Sequence, residues 1–175
     1  TAGPAGGPPS GLALLSEMEL LGRIEASDRP MAELDLAELA SGIARRLTTQ
    51  EKPIELVAEG PIEIHGRADD LEIAISNLIE NAQRYAPSGE LVGVAVAATP
   101  GGALVRVENP GAAISPNHLS KIFERFFTTD AGRGGTGLGL SIVKSVAEAH
   151  GGSVACRREG DKTVFELRLR PSPNA

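Results

Sequence analysis

Residues 134–150, Gly-Gly-Thr-Gly-Leu-Gly-Leu-Ser-Ile-Val-Lys-Ser-Val-Ala-Glu-Ala-His, set Gly135, Gly137 and Gly139 directly before an amphipathic stretch. Such a turn suits phosphate binding. Without side chains the backbone N–H groups can approach an anion, and the unpaired N–H groups and positive dipole end of the following helix favour it. A flexible loop before an ordinary helix would read the same way, so a second group of residues must decide. Asn77-Leu78-Ile79-Glu80-Asn81-Ala82-Gln83-Arg84-Tyr85 supplies that group. At helical spacing Asn77, Asn81 and Arg84 can share one face. A carboxamide at Asn81 can offer its oxygen to Mg²⁺, a hard ion held jointly by one or two protein oxygens, water and substrate phosphates. Arg84 is placed to reach those phosphates, and Tyr85 to cover an aromatic base.

Two better-known glycine motifs fail. No Gly precedes Lys-Ser or Lys-Thr, which excludes a P-loop. Gly132, Gly134 and Gly137 spell G-x-G-x-x-G, but Phe-Phe-Thr-Thr-Asp-Ala before them is no buried strand, and too few residues follow for the remaining βαβ units.

The elements that must position these residues follow from periodicity. Residues 1–10 are small and Pro/Gly-rich and read as a linker. A helical rhythm runs from Leu12 to Ile24, on a segment too short to stand alone. A second helix begins at Asp35, an N-cap with Glu38 three residues on, and has Leu36, Leu39, Ile43 and Leu47 as its stripe. Residues 53–59 and 61–65 read as two strands joined by a turn at Glu59-Gly60-Pro61. Helix 69–85 buries Leu71, Ile75, Leu78, Ile79 and Ala82. Strands at 91–98 and 103–108 flank Thr99-Pro100-Gly101-Gly102, and strands at 153–158 and 163–169 flank Glu159-Gly160-Asp161. Between them, residues 110–135 form a long connection with one short helix near 116–123, which reads as a functional lid. The expected architecture is a two-layer α/β sandwich with one mixed sheet of about five strands and helices on one face.

Composition narrows the function. With 175 residues, 41% of them hydrophobic, the chain can bury one core, so one domain with appendages is expected. A net charge of −6 argues against a nucleic-acid or anionic-membrane surface. The lone Cys156 reads as a small buried hydrophobe in a strand, and with three scattered His it forms no metal-ligand cluster. No apolar run has membrane-spanning length and no signal peptide is visible. The expectation is a cytoplasmic fragment, without direct membrane contact, cut from a longer and even membrane-anchored parent.

At this point the chain resembles the catalytic, ATP-binding domain of sensor histidine kinases, in the superfamily of the gyrase and MutL ATP-binding domains. Four motifs occur in the family's order. Asn77–Tyr85 is similar to the N box and Glu108-Asn109-Pro110-Gly111-Ala112-Ala113-Ile114 to the G1 box. Lys121-Ile122-Phe123-Glu124-Arg125-Phe126-Phe127 is similar to the F box and Gly135-Thr136-Gly137-Leu138-Gly139-Leu140 to the G2 box. The resemblance implies a Bergerat-type fold over residues 30–170, with 11–27 the remnant of a dimerisation domain's second helix and 171–175 a tail. It implies ATP and Mg²⁺ as ligands, Asn81 as the metal ligand, and Phe123, Phe126 and Phe127 as anchors of the lid. Tyr85, Asn109, Gly111, Ile114, Phe123 and the Gly135–Leu140 stretch would surround the nucleotide. Asn77, Glu80 and Arg84 would take the catalytic positions, Glu80 polarising a water or the incoming His unless it is a plain surface carboxylate.

The implied partners are a histidine-containing dimerisation domain, a response regulator downstream and, in the full-length parent, a second copy. Departures from the family pattern are specific. Asn109 stands where the family usually has an Asp that accepts from the adenine amino group, and Ala113 replaces a Gly. An Asn is less strict toward the base than an Asp, because its NH₂ could turn toward guanine unless neighbours fix it. His65, His118 and His150 each lack the context of a phosphoacceptor, so this chain alone is not expected to phosphorylate itself. Hydrolytic relatives carry a Glu where this chain has Asn77, which favours a kinase over an ATPase. The alternative reading is a regulatory or anti-sigma-type serine kinase domain acting by partner contact.

Overall fold

Asp35 shows how a few side chains set the chain's course. Its carboxylate accepts from Ala37 N at 3.0 Å and Glu38 N at 3.3 Å, capping a helix, and from Ile62 N at 3.0 Å, which joins a distant strand to the same point. Serving three amides holds the carboxyl below the usual carboxylate range, the bond from Ile62 being the chief cause.

A computed structural model describes residues 11–26, 28–127 and 138–170. The linker 1–10, the tail 171–175 and residues 128–137 of the connection lie outside the described residues. In chain order the elements are α1 (Gly11–Glu25), β1 (Ala32–Asp35), α2 (Leu36–Leu47), β2 (Ile54–Ala58), β3 (Glu63–Gly66) and α3 (Ala68–Tyr85). There follow β4 (Val92–Thr99), β5 (Gly102–Pro110), α4 (Pro116–Leu119), α5 (Gly139–Ala149), β6 (Ser153–Glu159) and β7 (Lys162–Leu169).

The main sheet has five strands in the order β2-β4-β5-β7-β6, with β2 parallel to β4 and every other pair antiparallel. Alternation decides its two faces. Val92, Val94 and Val96 of β4, Ala103, Val105 and Val107 of β5, and Phe165, Leu167 and Leu169 of β7 are buried beneath the helices. They pack with Leu71, Ile75, Leu78 and Ile79 of α3, Ile142, Val143 and Val146 of α5, and Leu36, Ala40 and Ile43 of α2 in one core. Each such large side chain contributes about 1.5–3 kcal/mol when removed from water. The opposite face carries charge: Glu166 accepts from Arg168 at 2.8 Å and pairs with Arg157, and Arg106 pairs with Glu159. Helices on one face and a solvated ion-pair lattice on the other are what an antiparallel-rich sheet tolerates.

Three local expectations change. The strands on either side of Glu59-Gly60-Pro61 both form, but they join different sheets: β2 lies in the main sheet, whereas β3 pairs antiparallel with β1 in a two-stranded sheet. Leu36 N donates to Ile62 O at 2.8 Å, so the start of α2 draws β3 away from β2. β1 itself escaped the periodicity, because only four residues form it and its partner lies about thirty positions on. The short helix expected over 116–123 stops at Leu119 and continues as turns, where Phe123 sits edge-on to Phe165 with ring centroids 6.1 Å apart. Cys156, half-buried on β6 against the core, has its thiol pushed up to about 12 by burial.

Candidate nucleotide site

Two contacts place α3 and α5 side by side and antiparallel. Asn77 Nδ2 donates to Gly139 O at 3.2 Å, and Arg67 N donates to His150 Nε2 at 3.0 Å. The first contact brings the N-box face of α3 to the start of the glycine-led helix. Leu138, fully buried, anchors that start: its carbonyl accepts from Ile142 N at 2.9 Å and from Ser141 Oγ at 2.8 Å. Leu140 packs half-buried against the core. The side chains of Leu138 and Leu140 therefore serve packing.

One turn beyond Asn77, the Asn81 side chain is half-buried and makes no hydrogen bond among the described residues. Glu80 and Arg84 are exposed and Tyr85 is half-buried. The C-terminal end of α3 is held from behind by residues that sequence reasoning did not single out. Gln83 Nε2 donates to Leu47 O at 2.8 Å and Lys52 O at 3.0 Å, and the Lys52 ammonium donates to Ala86 O. Their partners lie about thirty positions away, so no local pattern could have revealed them.

Against this end of α3 comes the end of β5. Gly111 has φ +130°, and a Cβ there would sit 2.7 Å from Tyr85 O, so only glycine permits this approach. Asn109, 2% exposed, donates its Nδ2 to Pro110 O at 3.0 Å. That bond assigns the amide orientation and leaves Oδ1 as the acceptor. Ile114, Phe123 and Phe127 pack half-buried on the core, and Phe127 meets His118 edge-on at 5.4 Å. Phe126 departs from the expected anchoring role. It is 53% exposed at φ +65°, a left-handed backbone that turns its ring away from the core.

Asn77 and Gly139 thus meet on the α3–α5 seam, with Leu138 and Leu140 flanking Gly139 and Asn81 one turn further along α3, and Tyr85 and Gly111 meet at the α3–β5 junction, two residues after the buried Asn109. Gly135, Thr136 and Gly137 lie outside the described residues. Among the described residues, no group of three or more His, Cys, Asp or Glu could hold a metal ion, and no helix is long and apolar enough to cross a membrane.

A helix-backed mixed sheet with a glycine-led helix beside an asparagine-bearing one defines an ATP-binding α/β sandwich. The chain belongs to the family described as histidine kinase-, DNA gyrase B-, and HSP90-like ATPases, whose pattern matches residues 66–173. It is similar to the sensor histidine kinase CusS of Escherichia coli (strain K12), 43% identical over 103 residues that cover 57% of this chain and 22% of that protein. Its fold is similar to full-length ShkA in complex with AMPPNP, with a TM-score of 0.76 at 24% identity over 92% of this chain and 36% of that one. The mycobacterial sensor histidine kinase MprB superposes with a TM-score of 0.70 at 28% identity over 81% of this chain and 99% of that one. The chain carries an ATP-binding domain of the kind these sensor histidine kinases contain, spans about a fifth to a third of the length of the curated sensor kinases it matches, and finds among them no support for a serine-kinase reading.

Proposed function

We propose that this chain binds Mg-ATP between α3, the start of α5 and the Asn109–Gly111 turn, and passes the γ-phosphate to a His on a dimerisation domain. The observation that supports this reading is the Asn77–Gly139 contact, which brings the face of α3 that also bears Asn81, one turn on, to the helix start that follows the glycine turn. The residues present fit the ligands. Asn81 offers Mg²⁺ a carboxamide that makes no hydrogen bond among the described residues, and the metal would neutralise phosphate charge as the γ-phosphoryl group leaves. Asn109 offers a buried acceptor to an adenine amino group, with Tyr85 beside the base and Ile114 and Phe123 packing beneath the turn. Arg84 reaches toward phosphate, and Glu80 is available to orient the incoming nucleophile. Asn77 is a positioning residue, because its amide is spent on Gly139.

The acceptor must come from elsewhere. Both ring nitrogens of His150 are engaged, Nε2 by Arg67 N and Nδ1 by Val146 O at 2.8 Å. His118 packs on Phe127. In-line transfer needs a His held at the γ-phosphorus, which a dimerisation domain, a second copy and a downstream response regulator would supply and use in two-component signalling. A cytoplasmic location accords with this use of ATP. The test is phosphotransfer from labelled ATP to a separately supplied His-containing dimerisation domain. Label on that domain's His and none on this chain is the expected result, and acid-labile phosphate on His65, His118 or His150 would contradict it.

A further inference from the structure

The antiparallel register lines up one row of polar residues across three strands. Asn109 of β5 pairs with Thr163 of β7, and Thr163 pairs with Arg158 of β6, so all three project from the same, helix-facing side of the sheet. Arg158 closes the row. Its Nη1 donates to Thr163 Oγ1 at 3.2 Å, its Nη2 to Gly111 O at 2.9 Å and its Nε to Gly160 O at 3.1 Å. A planar guanidinium with donors in a fixed fork is the one cationic side chain that can hold these acceptors together.

The consequence falls on the turn after β5. Gly111 is pressed on one side by Tyr85 O, where a Cβ would lie at 2.7 Å, and is held on the other through its own carbonyl by Arg158. With Gly111 fixed from both sides, the Pro110 peptide has one orientation, and Pro110 O receives Asn109 Nδ2 at 3.0 Å. An asparagine amide could otherwise flip and offer NH₂ in place of oxygen. We propose that Arg158 is a positioning residue for base selection: by clamping Gly111 it locks the Asn109 amide with Oδ1 outward, so that Asn accepts from an adenine amino group as strictly as a carboxylate would. This rests on the reading of Asn109 as the base-contacting residue. It also implies that Asn109→Asp would not sharpen the site, since a carboxylate there would set an acceptor against Pro110 O and lose the internal bond.

The experiment has two readouts. Titrations compare ATP with GTP on the wild type, Arg158→Met, Arg158→Lys and Thr163→Val. NMR of the nucleotide-free protein follows solvent exchange of the Asn109 side-chain NH₂, assigned by its loss in Asn109→Ala. In Arg158→Met the ATP-over-GTP affinity ratio is expected to fall roughly tenfold, the scale of one lost hydrogen bond, and the Asn109 NH₂ to exchange faster. Arg158→Lys, which keeps the charge but not the fork, should fall between, and Thr163→Val, which spares the Gly111 bond, should lose less. Equal losses for ATP and GTP with an unchanged Asn109 NH₂ would overturn the proposal, as would a Lys variant indistinguishable from the wild type. If Arg158→Met fails to fold, the Lys and Val variants decide by the same criteria. A wild type that binds neither nucleotide would refute the nucleotide site itself, and the NH₂ exchange would still report on the clamp.

Discussion

The two ends of α3 use their polar residues in opposite ways. At its start, Asp69 and Asp70 both pair with Arg29, the latter at 2.6 Å, and Arg67 Nε donates to Arg29 O at 2.8 Å. Acidic side chains at a helix N-terminus also complement its dipole. At its other end Asn81 and Arg84 hold no hydrogen bond among the described residues, and the support comes from behind, through Gln83 and Lys52. One end spends its polar groups on fastening the segment after α1 to the domain. The other keeps Asn81 and Arg84 available to solvent, as a ligand-binding end requires, whereas at the fastened end Asp70 Oδ2 is buried without a hydrogen-bond partner among the described residues. Stability and binding are therefore separable along a single helix.

The sharpest way to break that comparison is at the fastened end. Asp70 is fully buried and leans on Arg29, whose side chain is 34% exposed. Arg29→Met removes the cation and strands the buried Asp70 carboxylate, which is the costly way to break such a pair, because a buried charge is left without its partner. Denaturant unfolding should show this as a loss of stability with ATP affinity unchanged. An affinity loss comparable to that of a site variant would mean that the two ends are coupled.

The reverse holds at the open end. Asn81→Ala is expected to weaken Mg-ATP binding roughly 10- to 100-fold, the scale of one contact to a charged partner, while the melting temperature stays within a degree or so. Calorimetry with and without chelator checks it. Undiminished affinity would move the metal away from Asn81.

The smallest effect concerns pH. Burial, and secondarily the Arg67 charge, hold the His150 imidazole below its ordinary value of 6.5, although the Val146 carbonyl and Asp70 act against them. Between that lowered value and 6.5 the unfolded chain binds more protons than the folded one, so stability is complete above 6.5 and falls as pH drops through the window. The paired carboxylates Asp69, Glu159 and Glu166 are also held low, and their contribution is lost only in the more acidic carboxylate range. A decline in Tm on the order of a few degrees between neutral pH and pH 5.5 is expected, and His150→Gln, which keeps an acceptor for Arg67 N, should remove it. If Asn81→Ala shifted the same profile, the division between the ends would fail.

Sequence alone determined the longer helices, the five strands of the main sheet and the four motifs, because each rests on local regularity. Apolar residues at helical or alternating spacing must face one core, and small residues at a turn must free the backbone, whatever the tertiary arrangement. It also placed Asn77 and Gly139 on the two helices that the tertiary structure brings into contact. Tertiary structure alone decided that β3 leaves β2 for β1, since one carboxylate at Asp35 draws Ile62 to the start of α2 from twenty-seven positions away. It decided that Phe126 faces outward while Phe123 and Phe127 pack on the core, a matter of backbone φ that residue type does not set. It decided, too, that Arg158 reaches Gly111 across forty-seven positions, because strand register is a non-local property: which residues share a row depends on pairings that only the closed sheet defines.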